Sequence, residues 1–257
     1  MPRRTEEPLP DIPRFPWEYF YEWFRWSPDQ SVSIVGGIGS GKSTLELAIL
    51  PKQNSVVFFG TKPRDPIYGE LQGQGYRHLD AWPKPTPMNK FPNPGAHVLL
   101  QPPVKNLNED IARQRTVFGG AMERIFLSGG QDQTPENAHP GARVVVFDEV
   151  RYITQNLKLT KLYTTLILQG RAMHIPVVAG SQRASWVPRE TWSEATHIFM
   201  FASRDRRDLL TLRELGGRVD PDVIIAAIMS LEPDNHEVLY INRISGRLAI
   251  TTAPKAV

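Results

Sequence analysis

Residues 31–44, SVSIVGGIGSGKST, run a short apolar strand pattern directly into a loop where Gly36, Gly41, Lys42 and Ser43 satisfy G-x-x-x-x-G-K-[ST], the Walker A pattern. That loop needs a strand before it and a helix after it, so it points to an α/β fold with an anion site at the strand tip. Glycine lets backbone N–H groups close on a polyphosphate at short range. Gly36, Gly37, Gly39, Ser40, Gly41, Lys42, Ser43 and Thr44 are the candidate phosphate-binding residues. Lys42 brings a point charge to the outer phosphates, and the Ser43 hydroxyl is a ligand for Mg²⁺.

The rest of the chain keeps to the same plan. Apolar strand patterns at 31–35, 55–59, 143–147, 176–179 and 197–201 alternate with helical patterns at 42–50, 108–127, 154–173 and 203–215. This alternation predicts a mainly parallel sheet flanked by helices. Asp220 and Pro221 form a cap and first turn for a further helix in VDPDVIIAAIMSL, and EVLYINR and GRLAITT predict a C-terminal hairpin.

Two regions stand apart. Residues 1–30 form an N-terminal arm before a core at 31–257, and end in RFPWEYFYEWFRWSPD. Pro16 starts a helix there whose Trp17, Phe20, Tyr21 and Phe24 share one face. That face either packs on the chain's own core or docks a neighbouring subunit. Residues 62–103, including DAWPKPTPMNKFPNPGAHVLLQPP, are expected to be an irregular excursion with one strand at 97–100, and residues 129–141 a loop.

Two further stretches complete a chemical constellation with Lys42. RVVVFDEV ends a strand on Asp148, placed for the second shell of Mg²⁺, and on Glu149, placed to polarise an attacking water as a general base. Such a glutamate favours repeated ATP hydrolysis over phosphoryl transfer to a small molecule. HIPVVAGSQRASWVP ends another strand on Gln182, whose amide can donate to a γ-phosphate oxygen and accept from the attacking water.

Composition narrows the alternatives. The chain has no cysteine and its six histidines show no H-x-x-x-H spacing, so any metal is expected to be oxygen-ligated. Lys+Arg 30 against Asp+Glu 27, a net +3, is compatible with a nucleic-acid partner and does not require one. The opening MPRRTEEPLP carries no signal-peptide pattern, and no apolar run approaches the roughly 20 residues that span a bilayer. Neither secretion nor membrane insertion is expected, and the expected location is cytoplasmic.

The stretch QGRAMHIPVVAGSQRASWVP, with the loop and the Asp148-Glu149 pair, resembles the FtsK/HerA superfamily of P-loop DNA-pumping ATPases, which includes viral genome-packaging ATPases. The matching features are an arginine, a short turn, an apolar strand and a polar residue within Gln-Arg. The resemblance implies a P-loop NTPase fold of the RecA-like ASCE type, with the Gln182 strand between those carrying Gly36 and Asp148. It further implies ATP and Mg²⁺, a homo-oligomeric ring (pentamer or hexamer), and double-stranded DNA as partner. Arg171 matches the arginine finger that completes a neighbour's site, with Arg183 as the competitor.

A core with only a short arm suits genome packaging, which would place the chain in host cytoplasm or at a virion vertex, with a capsid portal or vertex protein as partner. A conjugation or secretion coupling ATPase is the alternative, and a P-loop kinase or nucleotide switch is disfavoured by Glu149 and by the Gln182–Arg171 pairing. Candidate DNA contacts are Lys62, Arg64, Lys84, Lys90, Lys158 and Lys161. Residues 60–64, GTKPR, match only loosely the Asp-Lys pattern common after the second strand, and the sequence gives no physical account of Trp186.

Overall fold

A computed structural model describes residues 11–83, 97–128, 143–215 and 217–254. The expected loop at 129–141, Lys84 and Lys90 lie outside the described residues. Ten strands form one sheet: β1 (Arg14–Phe15), β2 (Val32–Val35), β3 (Val56–Phe59), β4 (Arg77–Leu79), β5 (His97–Leu100), β6 (Val144–Phe147), β7 (Val177–Ser181), β8 (His197–Phe201), β9 (Glu237–Asn242) and β10 (Arg247–Thr252). Eight α-helices accompany them: α1 (Trp17–Trp23), α2 (Lys42–Ile49), α3 (Pro66–Gly73), α4 (Leu107–Ser128), α5 (Thr160–Gln169), α6 (Glu190–Ser193), α7 (Arg206–Arg213) and α8 (Pro221–Met229).

The strand order is β1-β10-β9-β8-β2-β7-β6-β3-β5-β4. From β8 to β4 every pairing is parallel, and β9 and β10 form the antiparallel C-terminal hairpin. The Gln182 strand β7 lies between β2 and β6, as the resemblance implies. Parallel strands covered on both faces read as unbroken apolar runs. In β3, Val56 and Phe58 enter the core on one face while Val57 and Phe59 enter the other. β6 divides in the same way, Val144 and Val146 against Val145 and Phe147. Helices α1, α2 and α3 cover the first face, and α4, α5 and α8 the second.

The aromatic arm is built into this core. β1 adds a parallel edge strand to β10, and α1 lays Phe20 and Phe24 against Phe199 and Tyr240 at centroid distances of 5.3–6.0 Å. Both rings are fully buried, which contributes about 1.5–3 kcal/mol each. Beneath them His197 joins Tyr240 Oη and Gln30 Oε1, each at 2.8 Å; burial pushes its pKa down to about 4, so it is neutral near pH 7.

Two segments differ from expectation. The 62–103 region is not one strand in an irregular excursion, because its described part also holds α3 and β4. Asp65 caps α3 by accepting from Ile67 N–H at 3.1 Å and Pro66 fills its first turn, after which β4 and β5 extend the parallel sheet. The single helix expected at 154–173 is broken into a π-turn at Tyr152–Asn156, then α5, then a 3₁₀ turn at Gly170–Met173. Leu157 and Leu159 are both buried, which positions two apart on one helix cannot achieve on one face. The chain leaves the helix between them, with Lys158 at φ 57°.

Candidate active site

Ligands of open parallel sheets bind beyond the carboxyl ends of the strands, and there the motif residues converge. The loop after β2 is anchored by Gly36 N–H donating to Ser181 C=O at 3.1 Å. Gly41 then caps α2 at φ 97°, a backbone region that favours glycine, and a side chain there would press on Ala253 and His236. Gly37, Gly39, Ser40, Gly41, Lys42, Ser43 and Thr44 line a cavity of about 590 Å³ together with Lys62, Gln182, Asp234, His236 and Pro254.

Charge in this cavity centres on Asp148. Its Oδ1 accepts from Lys42 Nζ at 2.8 Å and lies 3.4 Å from Ser43 Oγ, and its Oδ2 accepts from Lys62 Nζ at 2.8 Å. Burial opposes ionisation, but the two ammonium groups prevail and hold the carboxyl well below the usual carboxylate range. Lys42 is itself buried, which disfavours its charge, and the neighbouring Glu46 and Asp148 outweigh that cost. Glu46, one turn along α2, is fully buried beside Asp148 and Lys42. Burial raises its carboxyl well above the ordinary value; Lys42 opposes the rise and Asp148 adds to it.

Glu149 has a different environment. Its Oε2 accepts from Gln182 Nε2 at 3.0 Å, while its buried Oε1 has no protein partner among the described residues. Burial raises its carboxyl above the ordinary glutamate value; Lys42 opposes this and Asp148 adds to it. A carboxyl of raised basicity held by Gln182 suits proton abstraction. Ser43 Oγ and Asp148 Oδ1 form an oxygen pair of the kind Mg²⁺ takes, directly or through water. Among the described residues no group of three or more His, Cys, Asp or Glu could hold a metal ion.

The two arginines separate clearly. Arg183 is committed within the chain, paired with Asp205 and, at 3.0 Å, with Asp208. Arg171 does not join the site: it sits before β7, at the sheet edge opposite Gln182, with its side chain 72% exposed and Asp29 3.9 Å away. Lys62 is the residue that sequence reasoning misplaced. It was a candidate DNA contact, but its ammonium bridges Asp148 and, at 2.6 Å, Asp65. The usable signal is positional, since Lys62 follows β3 at the carboxyl edge and β3 pairs with β6. Arg64, Lys158 and Lys161 are exposed.

No protein-family model matches this chain, and no curated protein matches it. Among the described residues no helix is long and apolar enough to cross a membrane. The structure is similar to B204, the DNA-packaging ATPase of Sulfolobus turreted icosahedral virus, with TM-score 0.58 and 16% identity over 90% of this chain and 100% of that one. B204 of Sulfolobus turreted icosahedral virus 2, in complex with AMPPCP, gives TM-score 0.57 and 15% identity over 90% and 100%. The cytoplasmic domain of the type VII secretion ATPase EccC from Thermomonospora curvata gives TM-score 0.56 and 18% identity over 89% of this chain and 26% of that one. At these identities the likeness is one of fold: the chain has the P-loop NTPase fold of the viral packaging and secretion ATPases, the group that its three motifs resemble.

Proposed function

We propose that the chain is the subunit of an ATP-hydrolysing motor, a homo-oligomeric pentamer or hexamer that translocates double-stranded DNA in the manner of a viral genome-packaging ATPase. The observation that carries the reading is the contact from Gln182 to Glu149, 3.0 Å, together with the Lys42–Asp148 pair, Lys42 and Gln182 both lining the cavity. Phosphate-binding, metal-binding and water-activating groups lie together there.

In this reading the loop amides and Lys42 hold the β- and γ-phosphates. Ser43 and Asp148 would hold Mg²⁺, which would neutralise charge on those phosphates. Glu149 takes the proton of the attacking water, and Gln182 fixes its Oε2 while meeting the γ-phosphate. Asp234, His236 and Pro254 complete the lining of the same cavity. Lys62 supplies a second cation near the transferred phosphoryl group.

The exposure of Arg171, on the edge away from its own site, supports a role across a subunit boundary, where a guanidinium stabilises transition-state charge. Arg183 is already held by two aspartates. Arg171→Ala and Glu149→Gln subunits are each expected to be inactive alone. In an equal mixture roughly a quarter of the interfaces pair an intact Glu149 with an intact Arg171, so partial hydrolysis returns. No recovery in mixed rings whose assembly is verified would overturn the trans role. A capsid portal or vertex protein is the proposed dock, in host cytoplasm or at the virion vertex. The similarity to EccC favours, as second reading, a coupling ATPase that moves protein instead of DNA.

A further inference from the structure

We infer that Trp186 is a positioning residue that clamps the turn carrying Glu149 to the turn carrying Gln182, so that the general base and the γ-phosphate sensor keep one mutual geometry. The inference rests on the hydrolytic reading above and assigns a role to a residue outside the three motifs.

Glu149 and Gln182 stand at the ends of adjacent strands, β6 and β7, and the only direct bond between their side chains is the 3.0 Å contact. Both are side chains with several free torsions, and a single hydrogen bond leaves them room to drift. A second set of contacts lies just beyond it. The Arg151 guanidinium sits over the Trp186 ring, 3.9 Å from its centroid, and that of Arg183 lies 5.1 Å from the same centroid. Indole is the aromatic ring that attracts cations most strongly.

The backbone is held as well. Gln155 Nε2 donates to Trp186 C=O at 3.0 Å, and Arg151 Nε donates to Gln155 Oε1 at 3.1 Å. Arg151 and Gln155 belong to the turn that Glu149 opens, so that turn grips Trp186 by both ring and carbonyl. On its far side the Gln182 loop is fastened to α7. Asp208 accepts from Arg183 Nε at 3.0 Å, from Ser185 N–H at 3.2 Å and from Ser185 Oγ at 2.9 Å. Trp186 thus lies between a fixed loop and the helical turn of the general base. It also lines a second cavity of about 410 Å³ that shares Gln182 and Gly37 with the nucleotide cavity.

Removing the ring deletes both cation contacts and leaves the Gln155–Trp186 carbonyl bond as the remaining tie of residue 186 to the Glu149 turn. The phosphate loop is untouched. A misplacement of about 1 Å in a reacting constellation costs about 100-fold in rate, so the effect falls on turnover rather than on nucleotide affinity.

The test uses the full-length chain. Trp186→Ala is expected to lower kcat about 10- to 100-fold while KM and the affinity for a non-hydrolysable ATP analogue stay within about twofold. Trp186→Phe keeps a π face and is expected to recover most of the rate. Arg151→Met, which keeps the stem and removes the cation, is expected to reproduce the kcat loss with the tryptophan in place. Wild-type kcat in Trp186→Ala, an equal kcat loss in Trp186→Phe, or a fall in analogue affinity that tracks the rate would each overturn the inference. If Trp186→Ala does not fold, Arg151→Met decides, and wild-type kcat there overturns it. A wild-type chain without hydrolysis would sink the hydrolytic reading itself, which separates the two failures.

Discussion

Glu149→Gln is expected to keep ATP and stop turning it over. The rate should fall by about 10² to 10⁴, the range for loss of a positioned general base. The substitution preserves the shape of the side chain, and the amide carbonyl can still accept from Gln182 Nε2, so the wall of the cavity stays in place. What disappears is the basic oxygen. Nucleotide affinity depends on the loop after β2 and on Lys42, neither of which is altered, so it should hold within a few fold in an equilibrium titration. Rapid-quench measurement of ATP cleavage checks the rate. A variant with wild-type turnover would remove Glu149 from the mechanism.

Lys42→Ala is expected to fail at the earlier step. Its ammonium is almost fully buried and bonded to Asp148, and in the proposed complex it turns to the phosphates. A charge-assisted contact is worth about 1.5–3 kcal/mol, so affinity should fall about 10- to 100-fold. Turnover should fall further, because the same charge stabilises the transition state. The fold should survive, since Lys62 still neutralises Asp148 through Oδ2. Calorimetric titration with ATP measures the affinity and thermal unfolding the stability. If Lys42→Ala and Glu149→Gln weakened binding equally, their assigned roles would be wrong.

The features legible in the sequence are those with local causes. Parallel strands covered on both faces appear as short apolar runs, and the loop from Gly36 to Ser43 needs its own glycines, so both were visible. Gln182 was legible only beside the loop and the Asp148-Glu149 pair, because a polar residue at a strand tip is ordinary by itself. The illegible features have remote causes. β4 is an edge strand whose RHL shows no apolar alternation, and its existence depends on pairing with β5. The break at Leu157–Leu159 comes from burial of both leucines, partly beneath α4, where Arg115 donates to Leu157 C=O at 2.7 Å. Lys62 looks like a surface charge until β3 and β6 are placed side by side. Trp186 acquires its cation only when Arg151, on another strand's exit turn, is brought over it. In the arm the spacing of Phe20 and Phe24 marks one helix face, but nothing local says that Phe199 and Tyr240 cover it.

Coupling of hydrolysis to DNA is the central claim. The most direct measurement is steady-state ATP hydrolysis by the purified chain, with its oligomeric mass, with and without long double-stranded DNA of mixed sequence, and with Lys42→Ala as blank. The account predicts hydrolysis well above the blank, accelerated several-fold by duplex in a manner that salt weakens and base sequence does not change, as expected of phosphate contacts. A wild-type rate that duplex leaves unchanged, or one no higher than the Lys42→Ala blank, would contradict it.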